Sequence, residues 1–204
     1  DKKIIIGYSG HAYVVLDAAQ KSDSQVIGYA EKQVRTQNPF QLKYVGFEGN
    51  KDFQGWNQGY KFILGIGDNK IREMVTNIII SKGENLASVI HPTATVGKHV
   101  EIDMGTFLAS GVMINPLARI GKSVIINTGA IIEHECEIDD FCHIAPGAVL
   151  AGNVTVGKRS FVGANAAIKE GVTIGHDAMI GAGAVVLQDV KSESKVVGNP
   201  GRDI

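Results

Sequence analysis

The chain is poor in the features that mark several large protein classes. Cys136 and Cys142 are its only thiols in 204 residues, too few for the disulfide framework of a small secreted domain. They lie six positions apart without further ligands at workable spacing, so a zinc site is not expected and both read as packing residues. Charge of one sign is also lacking. Lys and Arg total 20 against 21 Asp and Glu, which offers no basic surface for nucleic acid or an anionic membrane. No apolar run approaches the length needed to cross a bilayer. The opening stretch "DKKIIIGYSGH" reads as a strand and a glycine turn rather than a secretory leader. These absences lead to the expectation of a cytoplasmic protein with no nucleic-acid or membrane partner.

What the chain has in abundance is a repeat. From Ile90 to Lys191 it divides into seventeen hexads, beginning "IHPTAT VGKHVE IDMGTF LASGVM" and ending "IGHDAM IGAGAV VLQDVK". Every hexad opens with Ile, Leu or Val, and every fifth place holds Ala, Val, Thr, Ser or Cys. A short strand buries the aliphatic residue, the chain turns, and the small residue fits where space is tight. Three such strands close a triangular coil of about eighteen residues, and coils must stack because none can bury its own ends. Residues eighteen apart then become neighbours on adjacent coils.

Residues 1–89 lack that period. "KIIIGYSGHAYVVLDAAQ" predicts a buried strand, a glycine turn and a helix. "SQVIGYAE" and "YKFILGIGD" predict two more strands, and "NKIREMVTNIIISKG" a second helix ended by Gly83. Alternating strands and helices imply a small parallel sheet. The expected organisation is an α/β Rossmann-like domain over 1–89 and a β-solenoid over 90–204.

Two loops and one hexad carry candidate chemistry. "GYSGH" opens a helix straight after a strand, where backbone N–H groups and the helix dipole suit a phosphate. "GIGDNKIR" ends another strand in a glycine turn, so both loops should share the carboxyl edge of the sheet. Glu31, after the second strand, sits where an acidic residue can receive ribose or base donors. In the solenoid, "IIEHECEIDD" places His134 between Glu133 and Glu135 in a turn, and the eighteen-residue step puts Gly152 above it. An imidazole beside a bare backbone N–H suits a general base with an oxyanion donor, and Glu135 can hold the ring's tautomer. Pro146, Ala164 and Ala182 form a second column, whose small side chains leave a groove for a thin acyl-carrier arm. No two solenoid histidines differ by a multiple of eighteen, which argues against stacked metal ligands. Stacked threonines for an ice-binding face are missing too, since Val124 follows Thr106 and Pro146 follows Thr128.

The whole chain resembles the bacterial N-acetyltransferases of nucleotide-activated amino sugars in surface-glycan pathways, within the sialic-acid O-acetyltransferase-like group of hexapeptide-repeat acyltransferases. "GYSGH", "GIGDNKIR", "IEHECEIDDFCHIAPGAVLAGNV" and the terminal "GNPGR" carry the resemblance. It implies a left-handed parallel β-helix, acetyl-CoA as co-substrate with no metal, and a homotrimer with the cofactor between subunits. It also implies His134 as base, Glu135 as its support, and Gly152 as oxyanion donor. His143 would approach the acetyl end of the cofactor, with Ala164 and Ala182 lining its groove. Ser9, Gly10 and His11 would contact the nucleotide sugar, with Gly67 and Asn69 near its phosphates. Members usually show two aspartates after the second strand; "YAEKQ" leaves Glu31 alone. The expected acceptor is the amine of a 4-amino-6-deoxy sugar, first as a UDP-sugar, with dTDP and GDP forms open. A sugar O-acetyltransferase and a non-catalytic nucleotide-sugar scaffold are the alternatives.

Overall fold

A computed structural model describes residues 1–204. Its first unit runs β1 (Lys3–Ile6), α1 (Gly10–Lys21), β2 (Val26–Ala30), β3 (Lys43–Tyr44), β4 (Lys61–Leu64), α2 (Asn69–Ser81) and β5 (Asn85–Leu86). All five strands are parallel, in the order β3-β2-β1-β4-β5. The isoleucine run of β1 is explained by burial on both faces. Ile5 joins Ala12, Val15 and Leu16 of α1, while Ile4 and Ile6 join Phe53, Trp56, Val75 and Ile79. The expected strands and helices are all present, and Gly83 follows α2 with φ +72°. The edge strands β3 and β5 are only two residues long, too short to show a period.

From Val89 onward the chain winds into three parallel sheets of six, five and eight strands, the eight-stranded one closed by the antiparallel pair Lys195–Val197 and Arg202–Asp203. Each strand joins the sixth residue of one hexad to the first of the next, as in Ile131–Ile132, Glu137–Ile138 and His143–Ile144. First-place residues point inward and are sealed in the interior coils, with Ile132, Ile144, Leu150 and Val162 all fully buried. The fifth place is equally buried, including Cys136 and Cys142, both free thiols. Stacked partners are eighteen apart, as in Ile131 and Val149. The last hexad breaks this step, because Val190 bridges Ile174 sixteen positions away.

From His99 to Gly183 the fourth place of every hexad adopts a left-handed backbone whatever residue occupies it. Leu117 (φ +69°), Glu135 (+60°), Phe141 (+61°) and Arg159 (+60°) share it with the glycines. The stacked coil imposes this turn, overriding the residue preference that favours Gly and Asn there.

The three outer faces differ in chemistry. One carries the Glu101–Arg119–Glu137 ladder, with Arg119 3.8 and 3.7 Å from the two carboxylates. The six-stranded face is apolar and uncovered, with Met113, Ile131, Val149, Ala167 and Val185 in one ladder. The third carries Phe107, Ile125, His143 and Phe161, and the first unit sits on it, so that Ile5 and Leu16 share one core with Phe107 and Ile125.

Candidate active site

His134 occupies the turn between the apolar face and the charged one. Its left-handed neighbour Glu135 folds back so that Oε2 lies 3.1 Å from His134 Nδ1. Nδ1–H donates to the carboxylate, which leaves the Nε2 lone pair free. The ring is about half exposed, at 53%, and packs on Gly152. A Cβ built there would lie 2.5 Å from the ring's Cε1 and 2.6 Å from Nε2. The Gly152 N–H has no acceptor in the chain, whereas its flanking N–H groups bond Ile168 and His134 carbonyls. Next in the coil, Asn115 donates to Glu133 at 2.8 Å. An imidazole with a free Nε2, the carboxylate that orients it and an unpaired backbone N–H therefore meet at one corner.

Ala164 and Ala182 stand in one column with Pro146 at the opposite edge of the same apolar face. Asn165 N–H donates to the Pro146 carbonyl at 2.9 Å, and Gly183 N–H to the Ala164 carbonyl at 2.8 Å. Within one chain the six-stranded sheet separates this column from His134.

The residues expected to contact a nucleotide sugar gather at the carboxyl edge of the first sheet. The strand order changes direction between β1 and β4, and the loops after these two strands form the crevice where ligands of open α/β sheets bind. Ser9 caps α1 with its hydroxyl unused, and Gly10 has open space where a Cβ would stand. Gly67 faces His11, 3.9 Å from its Cβ for a side chain built at the glycine. Gly65, not singled out in the sequence, is what lets the two loops touch: a Cβ there would come 2.5 Å from Ala12 and 2.8 Å from the Gly7 carbonyl.

Two of these side chains have partners that their sequence gave no hint of. Glu31 turns back into the glycine loop, accepting from Tyr8 N–H at 3.2 Å and Arg35 at 2.7 Å. Partial burial opposes its ionisation, but Arg35 and the Lys32 and Tyr8 N–H groups hold its carboxyl below the usual range. Asn69 donates to the Arg159 and Ser160 carbonyls and accepts from Arg72, so its amide ties the two units together. A second acidic side chain at this edge is Glu48, 8% exposed, whose carboxyl is pushed up by burial.

His143 lies under the first unit, away from His134. Asn127 Nδ2 is 3.1 Å from its Nε2, the Gly67 carbonyl lies against the ring, and the His11 ring centroid is 6.2 Å away. Burial, then the Arg72 cation, hold His143 down to about 3 and His11 to about 4. Both are neutral at physiological pH. Arg72, missed in the sequence because it reads as an ordinary helix-surface cation, is 1% exposed at the centre of this junction.

A glycine-loop α/β unit docked on a hexapeptide solenoid, with a carboxylate-held histidine at a solenoid corner, defines a two-domain hexapeptide-repeat transferase. Residues 2–79 match the PglD N-terminal domain family, residues 118–152 the bacterial transferase hexapeptide (six repeats), and residues 153–188 the hexapeptide repeat of succinyl-transferase. A GDP-perosamine N-acetyltransferase of Escherichia coli O157:H7 is 34% identical over 103 residues, 50% of this chain and 47% of that protein. The chain thus spans about half the length of the curated relatives it matches. Perosamine N-acetyltransferase from Caulobacter crescentus, solved as a histidine-to-asparagine variant with CoA and GDP-perosamine, is 32% identical with TM-score 0.92, over 100% of this chain and 97% of that one. The acetyltransferase domain of PglB from Neisseria gonorrhoeae, solved with acetyl coenzyme A, is 28% identical with TM-score 0.90, over 100% and 98%. The chain belongs to the hexapeptide-repeat N-acetyltransferases of nucleotide-linked amino sugars.

Proposed function

We propose that the protein transfers acetyl from acetyl-CoA to the amine of a nucleotide-linked 4-amino-6-deoxy sugar, by direct transfer with His134 as general base. The observation that carries this reading is the corner where Glu135 accepts from His134 Nδ1–H and the Gly152 backbone, its N–H unpaired, packs against the Nε2 edge of the ring. The neutral amine attacks the thioester carbonyl and Nε2 removes its proton. Gly152 N–H donates to the oxyanion; as this collapses the C–S bond breaks, and coenzyme A leaves as the thiol with the proton returned by the His134 imidazolium. The nearby Cys136 thiol is buried, donates to the Ala151 carbonyl at 3.1 Å and is held protonated by burial, so no acyl-enzyme is invoked.

The site is shared between subunits of a homotrimer. His134 and the Pro146–Ala164–Ala182 groove flank opposite edges of the uncovered apolar face. Packing that face on a second chain buries its Met, Ile and Val side chains and brings the base of one subunit to the groove of the next. The nucleotide occupies the crevice of Ser9, Gly10, His11 and Gly67, with Glu31 and Asn69 at its rim. The resemblance favours a uridine nucleotide, while the Caulobacter relative, which holds GDP-perosamine, supports guanosine.

Release of free coenzyme A thiol, with mass analysis of the product, tests the reading. UDP-, dTDP- and GDP-linked amino sugars would be compared with hydroxyl-only analogues. Thiol release with one amino sugar and a product heavier by one acetyl group is expected. Turnover on the hydroxyl analogue alone would replace it by O-acetylation, and silence on all would remove the activity.

A further inference from the structure

Arg72 presents an unusual arrangement for a buried cation. Its five N–H donors meet six oxygens, none of them a carboxylate. Nε donates to the Ser123 carbonyl at 2.7 Å; Nη1 serves the carbonyls of Ile66 (3.2 Å) and Gly67 (3.0 Å). Nη2 serves Asn69 Oδ1 (2.8 Å) and the carbonyls of Phe141 (2.8 Å) and Cys142 (3.1 Å). Three of these oxygens belong to the glycine loop and the start of α2, and three to two stacked corners of the solenoid. A cation so buried, pushed down to about 10 by desolvation, would be replaced by an apolar side chain with little loss if packing were its whole role. The planar fork instead fits six separate carbonyl directions, which an ammonium with three donors cannot do.

From this geometry we infer that Arg72 is a positioning residue: it fixes the glycine loop Gly65–Asn69 on the solenoid, and with it the height of the nucleotide sugar above the His143 face. The Gly67 carbonyl is the shared element, since it accepts from Arg72 and lies against the His143 ring. A further polar anchor of the loop on the solenoid is Asn69 on the Arg159 and Ser160 carbonyls, and Asn69 is itself held by Arg72. The claim about substrate placement rests on the proposed acetyl transfer; the claim about the loop does not.

Two variants and two readouts separate them. In Arg72→Met and Arg72→Lys, amide hydrogen exchange of Ile66–Asn69 should accelerate by about 10-fold or more. The solenoid strands from Val149 to Val186 should keep their protection. Arg72→Lys, which retains the charge, should show the same loop release, and it serves where Arg72→Met does not fold. In kinetics, KM for the nucleotide sugar should rise about 10- to 100-fold, with KM for acetyl-CoA changed by less than about twofold. Loop exchange at the wild-type rate in Arg72→Lys would overturn the anchoring, as would uniform loss of protection over both units. Loop release with both KM values moving together would overturn the placement role. A wild-type chain that consumes no acetyl-CoA would remove the enzymatic reading, and hydrogen exchange would still decide the anchor.

Discussion

The backbone of Gly152 lies against the His134 imidazole so closely that a methyl group there would stand 2.6 Å from Nε2. Gly152 does not need a left-handed backbone, because its φ is not among the positive ones, and the three atoms nearest an alanine Cβ all belong to the ring. Gly152→Ala should therefore leave the coil intact and push the half-exposed imidazole off the backbone donor. Turnover is expected to fall by about 10² or more, with Tm little changed. Near wild-type turnover in a folded Gly152→Ala protein would show that His134 and this N–H do not act together.

Removing the proposed base should be costly in turnover and cheap in affinity. His134→Ala is expected to lower kcat on the order of 10²–10⁴ with little change in acetyl-CoA binding. Glu135→Gln should cost less, since an amide at that place still holds the ring through its oxygen but stabilises the imidazolium poorly. Steady-state kinetics beside calorimetric binding of coenzyme A distinguish the two contributions. A His134→Ala enzyme of near-full activity would refute the assignment.

Subunit mixing tests the shared site. His134→Ala chains lack the proposed base, and Ala182→Trp chains have the proposed groove blocked, so each is expected to be inactive alone. Co-refolded at equal amounts, they should recover on the order of a quarter of wild-type activity, because random assembly pairs an intact base with an open groove at that frequency. Ile131→Lys, on the apolar face, should yield folded monomers without turnover by light scattering and circular dichroism. An active monomer, or mixtures that stay inactive, would place the whole site in one chain.

The junction should make the fold sensitive to acid. His143 is held down to about 3 and His11 to about 4, against 6.5 for a free imidazole. Between these values the unfolded chain binds protons that the folded chain refuses, so stability rises with pH through that window and levels off above it. Asp177, held down to about 2 by Arg159, acts only below the ordinary carboxylate range. Tm should fall between about pH 6.5 and pH 4.5. His143→Asn, which does not titrate, should flatten that slope; an unchanged slope would show that His143 is reached by protons in the folded state.

Much of this architecture is legible in the sequence, and the His134 corner shows why. A repeat of six residues with two invariant size classes leaves a stacked coil as the solution that buries every first and fifth place, and the step of eighteen then puts Gly152 on His134. Local geometry alone decides that contact. The same arithmetic forecasts the Pro146–Ala164–Ala182 column and the packing role of Cys136 and Cys142, whose positions are interior by period. The strand–glycine–helix pattern likewise marked β1 and β4 and the crevice between them.

Only the tertiary structure decided the rest, because it depends on how two units of different period dock. Nothing local tells that Arg72, on a helix surface, will lose its water and meet carbonyls 51 and 70 positions away at Ser123 and Cys142. Nor does the sequence tell that Asn69 spends its amide on the solenoid, or that Glu31 folds back on Tyr8. His143 is an outward residue by its place in the hexad; it is buried because the first unit covers that face. The sequence sets which side chains line each face of the prism. Docking sets which face keeps its water, through contacts between residues that no period relates.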